Sequence, residues 1–200
     1  MYICKVKLDD TLMTNDDFGA LTLVLDNLYN KACCAVKVDP LLLDVETYVA
    51  ASFSFEDGNA HRSDISSNAT LAEYLAWRFT HQGASNDCDF RVHNHKTAHM
   101  YSAGRVSVTA RCKPLLLAYG DARALENPDV QMHPYALSTT DAKRKWNYGK
   151  IDYNAVRLFK VVGSKRFTNI WRQVRLCNPN ITQITNTQFR HFIETRVRAI

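Results

Sequence analysis

Apolar and polar positions alternate in patterns that predict the first elements of the chain. Residues 2–8 alternate apolar and charged side chains, as a strand does. After Asp16 and Asp17, apolar residues recur every three or four positions as far as Lys31, which predicts an amphipathic helix. The two acids suit the positive end of the helix dipole and need no catalytic role. A short strand is expected around residues 34–38.

The stretch from Asp39 to Phe55 fits two structures. Asp39 followed by Pro40 is typical of a helix N-cap with proline in the first turn. From Val45 onward, however, every second residue is apolar or aromatic, which is the pattern of a half-buried strand. The prediction is a short turn or helix to about Leu43, followed by a strand that ends at Phe55.

A helix is expected next, because Thr70 and Glu73 have the spacing of a capping box. Gly83 is a natural stop for this helix. Its inward face is predicted to consist of Leu71, Tyr74, Leu75 and Phe79.

A β-hairpin is predicted after that helix, with residues 90–95 as one strand and 105–112 as the other. Alternate positions of the second strand are apolar and face inward: Val106, Val108, Ala110 and Cys112. Residues 115–119 form a short buried run. Residues 120–150 are rich in turn formers and predict a long irregular connection.

The end of the chain predicts three amphipathic helices. The first runs from Asp152, a plausible N-cap, to Gly163, the second from about 165 to 177, and the third begins near Thr187. The apolar faces are Ala155, Val156, Phe159 and Val162 in the first, Phe167, Ile170, Trp171, Val174 and Cys177 in the second, and Phe189, Phe192, Ile193 and Val197 in the third. Basic residues occupy the opposite faces.

Charge divides the chain at about residue 141. Residues 141–200 hold 13 Lys and Arg against three acids, a net +10, whereas residues 1–140 hold 12 bases against 17 acids, a net −5. The predicted strands and helices together make the fold class α+β. An acidic portion of mixed strands and helices spans 1–140 and a small basic helical portion spans 141–200, either as separate units or as one continuous domain.

Composition places the chain among intracellular globular proteins. Its apolar content of 46% and charged content of 22% are ordinary values for a globular domain. No apolar run approaches the length of a membrane span, and the N-terminus has no secretory signal pattern. The six cysteines are then expected as reduced thiols, and the location as cytoplasmic or nuclear rather than secreted.

The basic portion predicts an anionic partner, and nucleic acid is the leading candidate. The residues expected to contact phosphates are Arg157, Lys160, Lys165, Arg166, Arg172 and Arg175, with Lys143, Arg144 and Lys145 as a leading arm. Trp146 follows that arm and could stack on exposed bases, which would favour single strands or RNA. No glycine-rich phosphate loop or other catalytic signature is present, so a non-catalytic role without a cofactor is expected.

A histidine cluster supports an alternative hypothesis, that the protein is a phosphodiesterase or nuclease. His93, His95 and His99 fall within seven residues. In a strand, His93 and His95 would project from one face about 7 Å apart, and His99 or Cys88 could complete a zinc site. Two His-x-Ser/Thr tripeptides, at 61–63 and 95–97, would instead suit His-based acid–base catalysis. The histidines are equally compatible with an ordinary polar surface.

The charge division also supports a third class, an interaction or assembly protein. A scaffold, an inhibitor or a virion component could join the acidic portion of one copy to the basic portion of the next. An acidic protein partner would serve the same purpose. This class predicts self-association that weakens with salt and no affinity for nucleic acid.

Overall fold

The computed structural model describes residues 13–56, 59, 63–80, 88–94, 104–132, 152, 154–161, 164–180 and 186–198. Of residues 63–64, 88, 164–167, 186–187 and 196–198 it describes the backbone alone. The strand predicted at residues 2–8 lies outside the described residues.

Seven helices and a two-stranded antiparallel sheet make up the described part of the chain, which confirms the α+β fold class. Helices predominate. In chain order the elements are α1 (Asn15–Ala35), α2 (Leu43–Phe55), α3 (Ser63–Asn68), α4 (Leu71–Thr80), β1 (Cys88–Val92), β2 (Gly104–Val108), α5 (Lys113–Glu126), α6 (Ser164–Cys177) and α7 (Asn186–Arg198).

Helix α1 confirms the predicted amphipathic helix and extends beyond its predicted end. Thr14 and Asp17 form a capping box, in which each side chain accepts a hydrogen bond from the other's backbone N–H at 3.2 and 2.8 Å. The strand predicted at 34–38 is wrong, because the apolar stripe continues through the buried Ala32 and keeps the chain helical. The backbone N–H of Val36 still donates to the Ala32 carbonyl, at 2.9 Å.

Helix α2 replaces the strand that was predicted from Val45 to Phe55, so that prediction is wrong. The residues between the alternating apolar positions are themselves buried, including Glu46, Tyr48 and Ser52. A helix that is enclosed on all sides has no polar face, so its sequence does not show apolar residues recurring with the helical period of 3.6.

Helix α4 begins with the predicted capping box. The Thr70 N–H donates to Glu73 Oε2 at 2.8 Å, and the Glu73 N–H donates to Thr70 Oγ1 at 3.2 Å. The prediction that Phe79 faces inward is wrong, since this side chain is 58% exposed. Trp77 is buried instead, because it shares the helix face of Tyr74 and packs against Phe90 with 6.0 Å between ring centroids.

The predicted hairpin is present, with Phe90 opposite Val106 in the antiparallel register. Both side chains are completely buried. The second strand is shorter than predicted, because the chain turns after Val108 and Thr109 Oγ1 accepts a hydrogen bond from the Cys112 N–H at 3.1 Å.

Helix α5 occupies what was predicted as a short buried run and the start of an irregular connection. It begins at Lys113 with Pro114 in its first turn, where proline is tolerated. It runs to Glu126 because Leu116, Tyr119 and Arg123 continue a buried stripe. The irregular connection predicted from residue 120 is therefore wrong for residues 120–126.

The helix predicted from Asp152 to Gly163 is wrong for the described residues, which follow an irregular path. The Leu71 N–H donates to the Val156 carbonyl and the Leu158 N–H donates to the Ala69 carbonyl, both at 2.9 Å. These bonds to the α3–α4 junction satisfy backbone groups that a helix would have paired internally. They also bury two consecutive residues, Leu158 and Phe159.

Helices α6 and α7 confirm the last two predicted helices, and both reach the core. Trp171 and Phe189 pack edge-on against Phe55, with ring centroids 5.4 and 5.2 Å away. Cys177 was predicted to face inward but is exposed. The division of the chain at residue 141 stays a prediction. None of the helices described above is both long and apolar enough to cross a membrane.

Candidate nucleic-acid interface

Helix α6 separates an apolar face from a basic one. Ile170, Trp171 and Val174 are buried, while Arg172 and Arg175 are exposed. The helix carries four basic residues and no acid. We call Arg172 and Arg175 the α6 basic face, because residues three apart on a helix lie side by side.

The core holds the α6 basic face in a defined position. Trp171 packs on Phe55, as described above. The Asn178 side chain, just after α6, donates to Asp17 Oδ1 at 3.2 Å and places the end of α6 beside the start of α1. The arginines therefore extend from a packed helix.

No ion pair neutralises the α6 basic face within the described part of the chain. From residue 164 to 198 there are seven basic residues and one acid, Glu194. That acid lies 3.8 Å from Arg190 and 3.7 Å from His191 in α7. Neither Arg172 nor Arg175 forms an ion pair with another described residue.

Two other predicted contact residues have partners inside the protein. Lys160 Nζ lies 2.8 Å from Glu126 Oε1, and this ion pair, together with Arg123, lowers the pKa of Glu126. Arg157 Nη1 donates to the amide oxygen of Asn68 at 2.6 Å. The charge of Lys160 is thus compensated, whereas that of Arg157 meets a neutral group.

The remaining predicted contacts stay predictions. Lys165 and Arg166 lie in the first turn of α6, but their side chains are not among those described. Lys143, Arg144, Lys145 and Trp146 lie outside the described residues.

The histidine cluster is described at only one of its three positions. His93 follows the end of β1 rather than lying in the strand, and it is 6% exposed. His95 and His99 lie outside the described residues, as does the side chain of Cys88. No group of three His, Cys, Asp or Glu that could hold a metal occurs among the described residues. The zinc hypothesis therefore stays untested.

Glu73 combines its capping role with a second one that sequence alone did not suggest. Its Oε1 accepts the backbone N–H groups of His93 at 2.6 Å and Asn94 at 3.0 Å. The carboxyl is thereby enclosed between α4 and the end of β1. Burial raises its pKa to about 7, although the backbone hydrogen bonds oppose that rise.

A pocket of about 310 Å³ adjoins this carboxyl. Its lining comes from four separate parts of the chain and consists of Thr70, Ala72, Glu73, Asn94, Val130, Gln131, Met132, Asp152, Ala155 and Val156. We call it the Glu73 pocket. The Asn94 side chain holds Asp152 at the rim, since Oδ1 accepts the Asp152 N–H at 2.7 Å and Nδ2 donates to the Asp152 carbonyl at 3.2 Å. Local sequence patterns carry no signal for such a site.

Comparison of the chain with protein-family models, curated proteins and solved structures gives no match, so no relative informs the roles of these residues.

Proposed function

We propose that the protein binds nucleic acid without catalysing a reaction, and that the α6 basic face contacts phosphates. The observation that carries this proposal is the exposure of Arg172 and Arg175 on a helix whose other face is buried. Phosphate contacts of this kind supply affinity and little sequence information.

The chemistry of the α6 basic face favours a phosphate-binding role over that of a basic surface that contacts only solvent. A guanidinium presents donors in a planar fork that matches the oxygens of a phosphate, and it stays charged at every physiological pH. The backbone of a packed helix is already ordered, so two arginines on it lose less backbone freedom on binding than arginines on a flexible arm. The net +10 of residues 141–200 extends the attraction beyond the two side chains.

A salt titration of nucleic-acid binding tests the proposal. The full chain would be titrated into labelled single-stranded RNA, single-stranded DNA and duplexes by fluorescence anisotropy, between about 50 and 200 mM salt. The test variant is Arg172→Glu with Arg175→Glu. The control is Lys31→Glu with Lys37→Glu, which changes the net charge equally but alters exposed residues near the other end of α1.

The arginine reversal should lower the slope of log affinity against log salt by about 0.7–0.9 for each lost phosphate contact. The lysine control should keep the slope of the native chain. Equal effects of both variants would show that only net charge matters, and an absence of binding at low salt would refute the proposal. Cleavage of the probe would favour the nuclease class, and self-association without binding would favour the assembly class.

A further inference from the structure

The Glu73 pocket has the size of a small-molecule site. Its volume of about 310 Å³ lies at the lower end of the roughly 300–1,000 Å³ that is usual for such sites. Val130, Met132 and Val156 supply apolar walls. Apolar walls with a few polar groups are the usual composition of a ligand site, and they suit the flat faces of one heterocycle.

The polar groups of the pocket select for hydrogen-bond donors. Glu73 and Asp152 both contribute to the lining, and no Lys, Arg or His does among the residues that the structure describes. The carboxylate of Asp152 at the rim would repel a phosphate or a carboxylate. Asp152 is exposed, and its Oδ1 accepts the Asn154 N–H at 2.9 Å, so Oδ2 can accept from a ligand. An amino group on a base is a suitable donor to a carboxylate, as in the contact between acidic side chains and cytosine N4.

The basic residue Arg157 directly follows Val156, a residue of the pocket lining. An isolated antiparallel bridge pairs Arg157 with Thr70, which lines the pocket. The Arg157 guanidinium donates to the neutral amide of Asn68, and no described acid pairs with it. The Arg157 side chain is therefore a candidate partner for the phosphate of a nucleotide whose base fills the pocket.

We propose that the Glu73 pocket binds one unpaired, amino-bearing base of a nucleic acid, with Arg157 at the phosphate of the same nucleotide. This inference rests on the proposed function and adds a preference for single strands and for adenine, cytosine or guanine over uracil. Uracil has no amino group, and it presents a carbonyl oxygen at the position where cytosine presents its amino group, so that oxygen would be repelled by the Asp152 carboxylate. The α6 basic face supplies affinity, and the Glu73 pocket supplies base preference.

Mononucleotides test the pocket independently of long strands. Adenosine, cytidine and uridine monophosphates would be titrated into the full chain and followed by NMR chemical shifts. Adenosine and cytidine monophosphates should bind at least about tenfold more tightly than uridine monophosphate. Asp152→Asn keeps the shape of the pocket and replaces one acceptor with a donor, so it should remove most of this preference.

A filled pocket supplies the second test. Ala72→Phe places a ring at the half-exposed pocket wall on α4, and Ala76→Phe is the matched control one turn further along, outside the lining. Ala72→Phe should abolish mononucleotide binding and the preference among oligonucleotides but leave their salt-dependent affinity. Ala76→Phe should change neither, and circular dichroism would verify that both variants fold.

The outcomes separate the two proposals. The pocket inference would be overturned if the chain bound oligonucleotides but not mononucleotides. It would also be overturned if Ala72→Phe and Asp152→Asn had no effect on oligonucleotide binding. Either result would leave the α6 proposal standing. Mononucleotide and oligonucleotide binding that are both unchanged by the Arg172 and Arg175 reversal would refute the α6 proposal alone. Equal binding of uridine monophosphate would overturn the base preference.

Discussion

The buried carboxyl of Glu73 should make the stability of the protein depend on pH in an unusual direction. This side chain is only 3% exposed, and its pKa rises from the ordinary 4.5 to about 7. Between those two values, Glu73 keeps its proton in the folded protein and loses it on unfolding. Because the folded state then binds more protons than the unfolded state, the contribution of Glu73 to stability falls as the pH rises.

The magnitude follows from the size of the pKa change. Each pKa unit corresponds to about 1.36 kcal/mol. A rise from 4.5 to about 7 therefore lowers the free energy of unfolding by about 3 kcal/mol at pH above 7, relative to pH below 4.5. This amount is a large share of the roughly 5–15 kcal/mol that stabilises a typical domain.

Urea unfolding of the native chain and of Glu73→Gln, between about pH 4.5 and 8, measures this contribution. Glutamine does not titrate, so the stability of the native chain relative to the variant should fall by about 3 kcal/mol across the window. It should then level off above about pH 7, the pKa of Glu73. Ser54→Ala removes a buried hydrogen bond to Ser66 that does not titrate, and its effect should be the same at every pH. A pH-independent difference between the native chain and Glu73→Gln would refute the reasoning.

Two further predictions concern packing and polar contacts, and both are measured by urea or thermal unfolding. Gly120→Ala should cost about 3 kcal/mol or more, because a Cβ there would lie 2.2 Å from Tyr74 Cζ. Gly104→Ala should cost about 1 kcal/mol or less, because the nearest atom, at 2.8 Å, is the mobile Cδ1 of Ile65; equal costs would contradict the geometry. Arg111→Ala should cost about 2 kcal/mol, since the guanidinium contacts two carboxylates at 2.6 and 3.2 Å and a tyrosine hydroxyl at 3.0 Å. Arg111→Lys should restore less than half of that loss, because one ammonium cannot reach all three groups, and full rescue would refute the role of the guanidinium in joining them.

Local sequence determined the ends of several helices. Thr70 and Glu73 predicted the start of α4, because a capping box needs only residues three apart and the backbone between them. The basic and apolar faces of α6 were predictable for the same reason. One side of that helix meets the core and the other meets solvent, so its period is visible in the sequence.

The tertiary structure alone decided the features that depend on distant residues. Helix α2 looked like a strand because burial on every side removed its polar face. The partners of Lys160 and Arg157 come from residues 34 and 89 positions away in sequence.

The Glu73 pocket depends on the same kind of long-range placement. Glu73 receives two of its hydrogen bonds from residues 20 and 21 positions further along the chain, and the pocket beside it combines four separate segments. Helix caps and amphipathic periods depend on residues that are close together in the sequence, so they can be predicted from it. Buried side chains, shifted pKa values and pockets arise only when segments that are remote in sequence pack together and exclude water.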